Sequence, residues 1–198
     1  MHWTKFLPEH PQFDFRVSDI NDKSGVSHRG LCRAIGDPHG NNFVRTRDTL
    51  LRGIDSQHLE AQSNKLDYRT LVACTELIRP IFKALDKHLY KEYVKVAKFS
   101  ANHPTTVREK EYATIRALLC NLATDYHKDS SDWRYGVAWL IPFGDFTGGD
   151  PILHGLGLPI KAPPGTLIGI RGRELAHAIT EWKGTPRFVV VQTAHESV

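Results

Sequence analysis

Residues 187–195 read RFVVVQTAH, and this stretch decides which fold the sequence is expected to adopt. Alternate side chains of an extended strand point to opposite faces. Five of them therefore share one face: Arg187, Val189, Val191, Thr193 and His195. Phe188 and Val190 make the other face apolar as well, which predicts a strand buried on both sides. Burying a guanidinium in such an interior costs free energy unless it meets an anion, so Arg187 predicts an anionic ligand. The alternative is that this face of the strand is exposed to solvent.

The chain around this strand has the pattern of β structure from about residue 115 to the end. Short apolar runs separated by Gly, Pro and Asp are typical of strands. Five further runs fit: ATIRALLCNL, YGVAWLIPFG, GLGLPIKA, GTLIGIRG and ELAHAIT. Their number and spacing favour an antiparallel sandwich or barrel.

The chain before residue 113 has a different character. Residues 1–45 are rich in Pro, Gly, Asp and Asn, and Phe13-x-Phe15-x-Val17 is a short alternating piece that predicts a strand. Further along, apolar residues recur every three or four positions and predict one packed face of a helix: Leu71, Cys74, Ile78, Ile81, Leu85 and Leu89. Pro80 is expected to kink or divide this helix. We expect one domain over residues 1–198, with residues 1–112 as an N-terminal strand and helical support and residues 113–198 as the β core.

The amino-acid composition indicates the class of protein but not its activity. The 198 residues are 40% hydrophobic and 24% charged, with no unbroken apolar run of membrane-spanning length, which predicts a soluble, intracellular protein without membrane contact. A net charge of +4 is compatible with a polyanionic partner. Cys32, Cys74 and Cys120 are too few and too far apart for a disulfide framework or a cysteine zinc site. Cys74 and Cys120 lie in apolar runs and are expected to be buried.

Two His-x-acid triplets occur, about as many as 11 histidines and 22 acidic residues produce by chance. His58-Leu59-Glu60 is assigned to a helix surface. His127-Lys128-Asp129 is more informative, because an extended segment would turn both outer side chains to the same face.

A third ligand should come from another strand, and His177 in ELAHAIT is the candidate, although a histidine on an apolar strand is often only a packed core residue. Two imidazoles and one carboxylate suit Fe(II) in a facial triad, and zinc accepts the same set. Arg187 tips the choice toward iron, because it offers a bidentate grip for the carboxylate of a small co-substrate.

With these residues in place, the sequence resembles the Fe(II)/2-oxoglutarate-dependent dioxygenases. The likeness rests on His127-x-Asp129, His177 and Arg187, together with the turn PPGT at 163–166 and the strand LIGIRG after it. It covers about residues 115–198. The resemblance implies a double-stranded β-helix, or jelly roll, with N-terminal flanking helices, giving an α+β, mostly β fold.

A narrower likeness is to the TET/JBP branch, which oxidises modified bases in nucleic acid. The pattern LHGLGL at 153–158 is similar to a strand of that branch and implies that His154 contacts 2-oxoglutarate. By the same resemblance His195 and Asp132 would contact a flipped base; the alternatives are a solvated histidine and a turn residue after Ser130-Ser131. Asn121, ahead of His127 on the first core strand, is a candidate neighbour of the co-substrate. The sequence departs from the branch at Val189, where a serine hydroxyl is usual, and it lacks the cysteine-rich zinc region of the animal enzymes.

The resemblance implies an enzyme that uses Fe(II), 2-oxoglutarate and O2 to oxidise a methyl group on a nucleic-acid base, either 5-methylcytosine or N6-methyladenine, with the nucleus as one compatible compartment. Two alternatives fit the same residues. One is an oxygenase of the same type acting on a small metabolite or a prolyl peptide, and the other is a jelly roll that binds metal without catalysis. The partner of the co-substrate's C1 carboxylate stays open between Arg45 and Arg116.

Overall fold

The computed structural model describes residues 24–33, 43–45, 73–98, 112–184 and 186–196. These residues belong to two compact units. The first contains the described residues between 28 and 116, and the second contains residues 24–27 and the described residues between 117 and 196. The eight residues predicted above to bind metal, co-substrate or substrate all belong to the second unit. The single-domain organisation stays a prediction.

Two helices belong to the described part of the first unit. Helix α1 covers residues 73–85, and α2 covers Lys87–Ala97. They are separated at Asp86, whose backbone is extended (φ −147°, ψ 90°) and whose carboxylate accepts a hydrogen bond from the Leu89 amide at 2.8 Å. This bond caps the start of α2, where helix amides have no partner of their own.

Aromatic rings pack these helices into the core of the unit. Phe82 meets Tyr90, Tyr93 and Tyr112 edge-on, with ring centroids 5.6, 5.1 and 5.9 Å apart. Phe82, Tyr93 and Tyr112 are almost completely buried. Large rings in this arrangement dominate the packing energy of a small core.

Pro80 does not divide the helix, because α1 continues to residue 85; a kink at Pro80 stays a prediction. A proline inside a helix costs about 3 kcal/mol, mainly through one lost hydrogen bond and a local clash. Ile78 and Phe82 flank it and are fully buried, and burying such side chains contributes about 1.5–3 kcal/mol each. The packing therefore offsets the proline.

The predicted apolar face of α1 is only partly correct. Ile78 is buried, but Ile81 and Leu85 are exposed, Leu85 at 73%. Thr75 and Phe82 share the buried face with Ile78, so the face is rotated away from the one that counting aliphatic residues predicted. Leu71 lies outside the described residues.

The first unit also contains an antiparallel pair that the sequence patterns did not predict. Strand β1 (Gly25–Arg33), which belongs to this unit from residue 28 on, pairs with β2 (Phe43–Arg45), and Cys32 lies opposite Val44. The predicted strand at residues 13–17 and the triplet His58-x-Glu60 lie outside the described residues.

The described part of the second unit is built from strands. They are β3 (Ile115–Cys120, from residue 117 on), β4 (Ala138–Gly144), β5 (Thr147–Gly148), β6 (Pro151–Leu153), β7 (Ile168–Ile170), β8 (His177–Ile179), β9 (Trp182–Lys183) and β10 (Arg187–Thr193). Four of these strands form a sheet in the order β3-β10-β4-β7. In it β10 runs antiparallel to β4, with Val190 opposite Ile141. Six of the seven β10 residues are buried, which confirms the strand predicted to be covered on both faces.

Two short pairs complete the unit: β5 with β9, and β6 with β8. The strand predicted at GLGLPIKA was wrong. Gly155 and Gly157 have φ values of +96° and +68°, a left-handed backbone that interrupts an extended strand. The chain turns there, and the strand lies earlier, at β6.

The described residues are mostly β with two helices, which confirms the predicted α+β, mostly β class. Among them no helix combines the length and the apolar character needed to cross a membrane. Cys120 is buried, Cys74 is half-buried, and burial raises the pKa of the Cys74 thiol.

Candidate metal centre

The centre is built on a backbone ribbon in which β8 lies between β6 and the segment that contains His127. His127 and His177 exchange both backbone hydrogen bonds, at 3.0 and 2.9 Å. Cross-strand partners in an antiparallel pair direct their side chains to the same face. The two imidazoles therefore lie together, with ring centroids 4.4 Å apart.

Asp129 completes the cluster from a loop rather than from the extended strand that the sequence predicted. Its amide donates to the Gly172 carbonyl at 3.0 Å. Its Oδ1 lies 3.5 Å from the Nε2 of His127, and its Oδ2 lies 3.7 Å from the Nε2 of His177. One ligand atom from each residue falls within 4.8 Å of the other two. The structure thus brings together the three residues predicted as ligands.

The hydrogen bonds of the two rings decide which nitrogen faces the cluster. The Nδ1 of His127 lies 2.8 Å from the Asp125 carbonyl, and that of His177 lies 3.0 Å from the Leu175 carbonyl. A carbonyl oxygen only accepts, so each Nδ1 carries the proton, and in a neutral ring each Nε2 presents a lone pair. Such a partner on the outer nitrogen is the usual support of a metal-binding histidine.

Two lone pairs aimed at a carboxylate repel it unless a cation lies between them. The 3.5 and 3.7 Å separations are too long for hydrogen bonds. Two ligand atoms that each lie about 2.1 Å from one ion are about 3–3.5 Å apart. The donor set of two imidazoles and one carboxylate suits Fe(II) or Zn(II). His127 is exposed while His177 is buried, so the site has a solvent-facing side.

Gly172 is a residue that the sequence interpretation missed. A Cβ built there would lie 2.1 Å from the Oδ2 of Asp129. The side chain of any other residue would occupy the space of that carboxylate. The only sequence signal was a glycine between two arginines, RGR, which reads as an ordinary turn.

Arg187 lies inside the fold with 3% of its surface exposed. Its Nη2 donates to the Gly149 carbonyl at 3.1 Å, and its guanidinium carbon lies 5.3 Å from the Phe146 ring and 5.1 Å from the Trp182 ring. The Nε has no hydrogen-bond partner within the described part of the chain. Burial lowers the pKa of the guanidinium, and the charge of Asp150 opposes that shift. A buried cation with a spare donor is suited to an anionic ligand.

Asn121 holds the backbone of Arg187. The amide of Asn121 donates to the Arg187 carbonyl at 2.8 Å, and the Arg187 amide donates to the Asn121 side-chain oxygen at 2.7 Å. Its φ of +44° is one that asparagine tolerates better than most residues. The predicted neighbour of the co-substrate therefore contacts the arginine backbone, and any contact with the co-substrate itself stays a prediction.

The two predicted substrate residues lie next to each other. Asp132 and His195 are cross-strand partners in an isolated bridge. The Oδ2 of Asp132 accepts from the Thr193 hydroxyl at 2.9 Å, and its carbonyl accepts from Arg173 at 2.7 Å. Burial raises the pKa of the Asp132 carboxyl to about 6, with the Thr193 hydrogen bond acting against burial and the charge of Asp129 adding to it. Their contact with a substrate stays a prediction.

His154 does not join the cluster. It follows Leu153, which lies opposite His177, so alternation turns His154 to the face away from the ligands. Its ring is exposed and meets Tyr126 edge-on at 5.6 Å. The predicted contact of His154 with the co-substrate stays a prediction. The side chain of Arg45 lies outside the described residues and Arg116 belongs to the first unit, so the partner of the C1 carboxylate stays a prediction.

Comparison with known proteins supports the fold. No protein-family model and no curated protein matches the chain. The chain is similar to the solved structure of NgTET1 in complex with 5mC DNA, at 15% identity and a TM-score of 0.63. The match covers 87% of this chain and 61% of that one, so the chain spans less than two thirds of that protein.

A second similar structure is a bsmA homolog from Methylobium petroleophilum PM1. The match has 12% identity and a TM-score of 0.37, and it covers 97% of this chain and 78% of that one. A TM-score this low carries no argument. The likeness to NgTET1 shows a TET-like fold, in agreement with the resemblance in the sequence.

Proposed function

We propose that this protein is an Fe(II)- and 2-oxoglutarate-dependent dioxygenase that oxidises a methyl group on a modified base in nucleic acid. The observation that carries the proposal is the combination of the His127, Asp129 and His177 cluster with the buried Arg187. A three-ligand site leaves positions for a co-substrate, and the spare donor of the arginine suits a carboxylate. The TET-like fold supports the same assignment.

The cluster and Arg187 would bind different groups. The Nε2 atoms of His127 and His177 and the carboxylate of Asp129 would hold the iron. Arg187 would pair with the far carboxylate of 2-oxoglutarate, and the Phe146 and Trp182 rings keep its guanidinium from turning. When bound, iron and co-substrate would supply the oxidation, in which 2-oxoglutarate and O2 become succinate and CO2 and one C–H bond gains an oxygen atom.

The chain's own contribution is orientation and exclusion of water. His177 and Arg187 are buried, while His127 and Asp129 are partly exposed, which leaves the cluster an opening to solvent. A target that enters from this opening would meet the metal side of the cluster. Burial of the arginine keeps water from competing for the co-substrate carboxylate.

A base is the favoured substrate because of Asp132 and His195. With a pKa of about 6, the Asp132 carboxyl is mostly ionised near pH 7 and accepts hydrogen bonds. Both 5-methylcytosine and N6-methyladenine carry an exocyclic amine that donates. A base must leave the stack to reach such a pocket. The NgTET1 structure contains 5mC DNA, which supports this class.

The test is substrate-dependent release of succinate by the full chain with Fe(II), 2-oxoglutarate and O2. Oligonucleotides containing 5-methylcytosine or N6-methyladenine are compared with unmethylated oligonucleotides, a prolyl peptide and small metabolites. We expect release with a methylated oligonucleotide only. Release with the peptide or a metabolite would keep the oxygenase and reject the base. A chain that binds Fe(II) but shows no visible absorption band on anaerobic addition of 2-oxoglutarate would be a non-catalytic metal-binding module.

A further inference from the structure

The segment directly after Asp132, the candidate base contact, presents a surface with one arginine and two aromatic residues, Trp133, Arg134 and Tyr135. The Tyr135 ring is 59% exposed and the Arg134 side chain is 62% exposed. The guanidinium carbon of Arg134 lies 5.9 Å from the Tyr135 ring, and Trp133 meets that ring edge-on at 6.3 Å. We call these three residues the 133–135 surface.

Backbone hydrogen bonds fix this surface in place. The Trp133 amide donates to the Ala194 carbonyl at 2.8 Å, and the Gly136 amide donates to the Trp133 carbonyl at 2.8 Å. The Arg134 amide donates to a carboxylate oxygen of Glu196 at 2.8 Å. An aromatic ring on a fixed backbone loses little conformational entropy when a ligand stacks on it. The surface is therefore ready to bind without rearranging.

The cation on this surface is available to a ligand. Arg134 has one ion pair within the described residues, to Glu174 at 3.4 Å, and both side chains are well exposed. Exposed pairs of this kind are weak and are easily exchanged. Glu196 also lies nearby, but its carboxylate is already paired with Arg173 at 2.7 Å. A phosphate would thus compete for Arg134 with the exposed carboxylate of Glu174, while Glu196 is held by Arg173.

The position of the surface suggests what it binds. Tyr135 is three residues beyond Asp132, and three residues span at most about 10 Å. Stacked nucleotides of one strand are about 3.4 Å apart, so this span corresponds to about three nucleotides at most. An aromatic face stacks any base, and an arginine contacts any phosphate. These are the contacts that a strand on either side of a flipped base requires.

From these observations we infer that the 133–135 surface binds the polynucleotide strand next to the target base, with Tyr135 stacking on a neighbouring base and Arg134 contacting a phosphate. The inference rests on the proposed function and deepens it, because it assigns the substrate as a base within a strand rather than a free nucleoside or a peptide. A free nucleoside would contact Asp132 and leave this surface bare.

The test measures binding of a fluorescent, single-stranded oligonucleotide that contains one 5-methylcytosine, by anisotropy, to the full chain and to variants. Tyr135→Ala is expected to weaken binding roughly 5- to 150-fold, the range for loss of one stacked base. Tyr135→Phe should bind like the wild type, because its ring still stacks. Arg134→Gln should lower the slope of log affinity against log salt by about one.

The matched control is Tyr126→Ala, which removes another half-exposed tyrosine that lies against His154 on the far face of the ribbon. Its affinity should stay within about twofold of the wild type, the size of effect expected for a surface change away from the contact. An unchanged affinity for Tyr135→Ala overturns the inference. So does an equal loss in Tyr126→Ala, or a wild-type chain that binds no oligonucleotide.

Turnover separates this inference from the proposed function. If the wild type oxidises the methylated oligonucleotide and Tyr135→Ala binds it equally well, only the 133–135 surface is rejected. If the wild type binds oligonucleotides through Tyr135 but oxidises no base, the surface stands and the proposed activity is rejected. Circular dichroism of each variant confirms that a loss of binding is not a loss of fold.

Discussion

Asn121 and Arg187 hold each other by two hydrogen bonds across 66 residues of sequence: the asparagine amide donates to the arginine carbonyl, and the arginine amide donates to the asparagine side-chain oxygen. The first bond uses only the backbone amide of residue 121, so any residue except proline could form it in this conformation. The second bond needs a short side chain with an acceptor oxygen. The start of β10, and with it the guanidinium, is therefore positioned by the end of β3.

Asn121→Ala is expected to lower the free energy of unfolding by about 1–3 kcal/mol, because the Arg187 amide loses its acceptor inside the fold. It should also weaken 2-oxoglutarate binding, because the arginine is no longer fixed. Urea denaturation measures the first effect and calorimetric titration of 2-oxoglutarate the second. Asn121→Gly is the control, since it removes the acceptor but accepts the positive φ. A normal affinity for the co-substrate in both variants would contradict the positioning role.

Arg187→Ala is expected to raise the 2-oxoglutarate concentration needed for turnover by orders of magnitude, because a charge-assisted bidentate pair is lost. Arg187→Lys should recover only part of the affinity, since an ammonium keeps the charge but not the planar pair of donors. Both variants should bind Fe(II) like the wild type. An unchanged co-substrate requirement would mean that this arginine serves the fold rather than the ligand.

His127→Ala and His177→Ala are each expected to abolish tight Fe(II) binding and iron-dependent turnover, because two protein ligands cannot replace three. Equilibrium dialysis with Fe(II) under argon, or with Mn(II) as a stable substitute, measures the binding directly. His154→Ala is the matched control, since its ring lies on the opposite face of the ribbon. Equal metal binding in all three variants would remove the ligand assignment.

The sequence predicted that His127, Asp129 and His177 lie together and that Arg187 is buried. Strand alternation indicated the buried arginine, whereas Asp129 reaches the cluster from a loop and not from the predicted strand. In β10, apolar residues on both faces identified the buried strand, and burial of Arg187 followed. The patterns failed where a contact depends on backbone shape. GLGLPIKA has the composition of a strand, but two glycines with positive φ turn the chain.

The supporting residues left even less signal. Nothing in the composition around Asn121 indicates that its side chain binds the backbone of a strand 66 residues away. The space that Gly172 leaves for Asp129 depends on the register between two loops. The side of the ribbon on which His154 lies depends on the alternation along β6, which the motif alone does not reveal.

Gly172→Ala is expected to disrupt the metal site without unfolding the chain. The added methyl would lie 2.1 Å from the Oδ2 of Asp129, so the carboxylate must move out of line with the two imidazoles. The expected result is Fe(II) binding weakened at least tenfold, with a thermal midpoint that changes little in metal-free protein. Asp129→Ala is the comparison, since it removes the carboxylate outright. Wild-type metal affinity in Gly172→Ala would show that the carboxylate can shift at no cost.

Asp150→Asn is expected to destabilise the protein in a pH-dependent way. The Asp150 carboxylate is 5% exposed and accepts from the Lys161 ammonium and the Ala162 amide, both at 2.8 Å. The Lys161 bond is the main cause that lowers its pKa. A carboxyl with a lower pKa in the folded state contributes stability above its unfolded pKa of about 3.9, and that stability is lost as the pH falls through the folded value.

Urea denaturation of Asp150→Asn should therefore show a loss of about 1.5–3 kcal/mol at pH 7, and this loss should shrink steadily below about pH 4. Lys161→Met is the control: the Lys161 side chain is 84% exposed, so its removal alone should cost under about 1 kcal/mol. A loss that is the same at pH 7 and pH 3 would mean that the charge of Asp150 contributes nothing to the folded state.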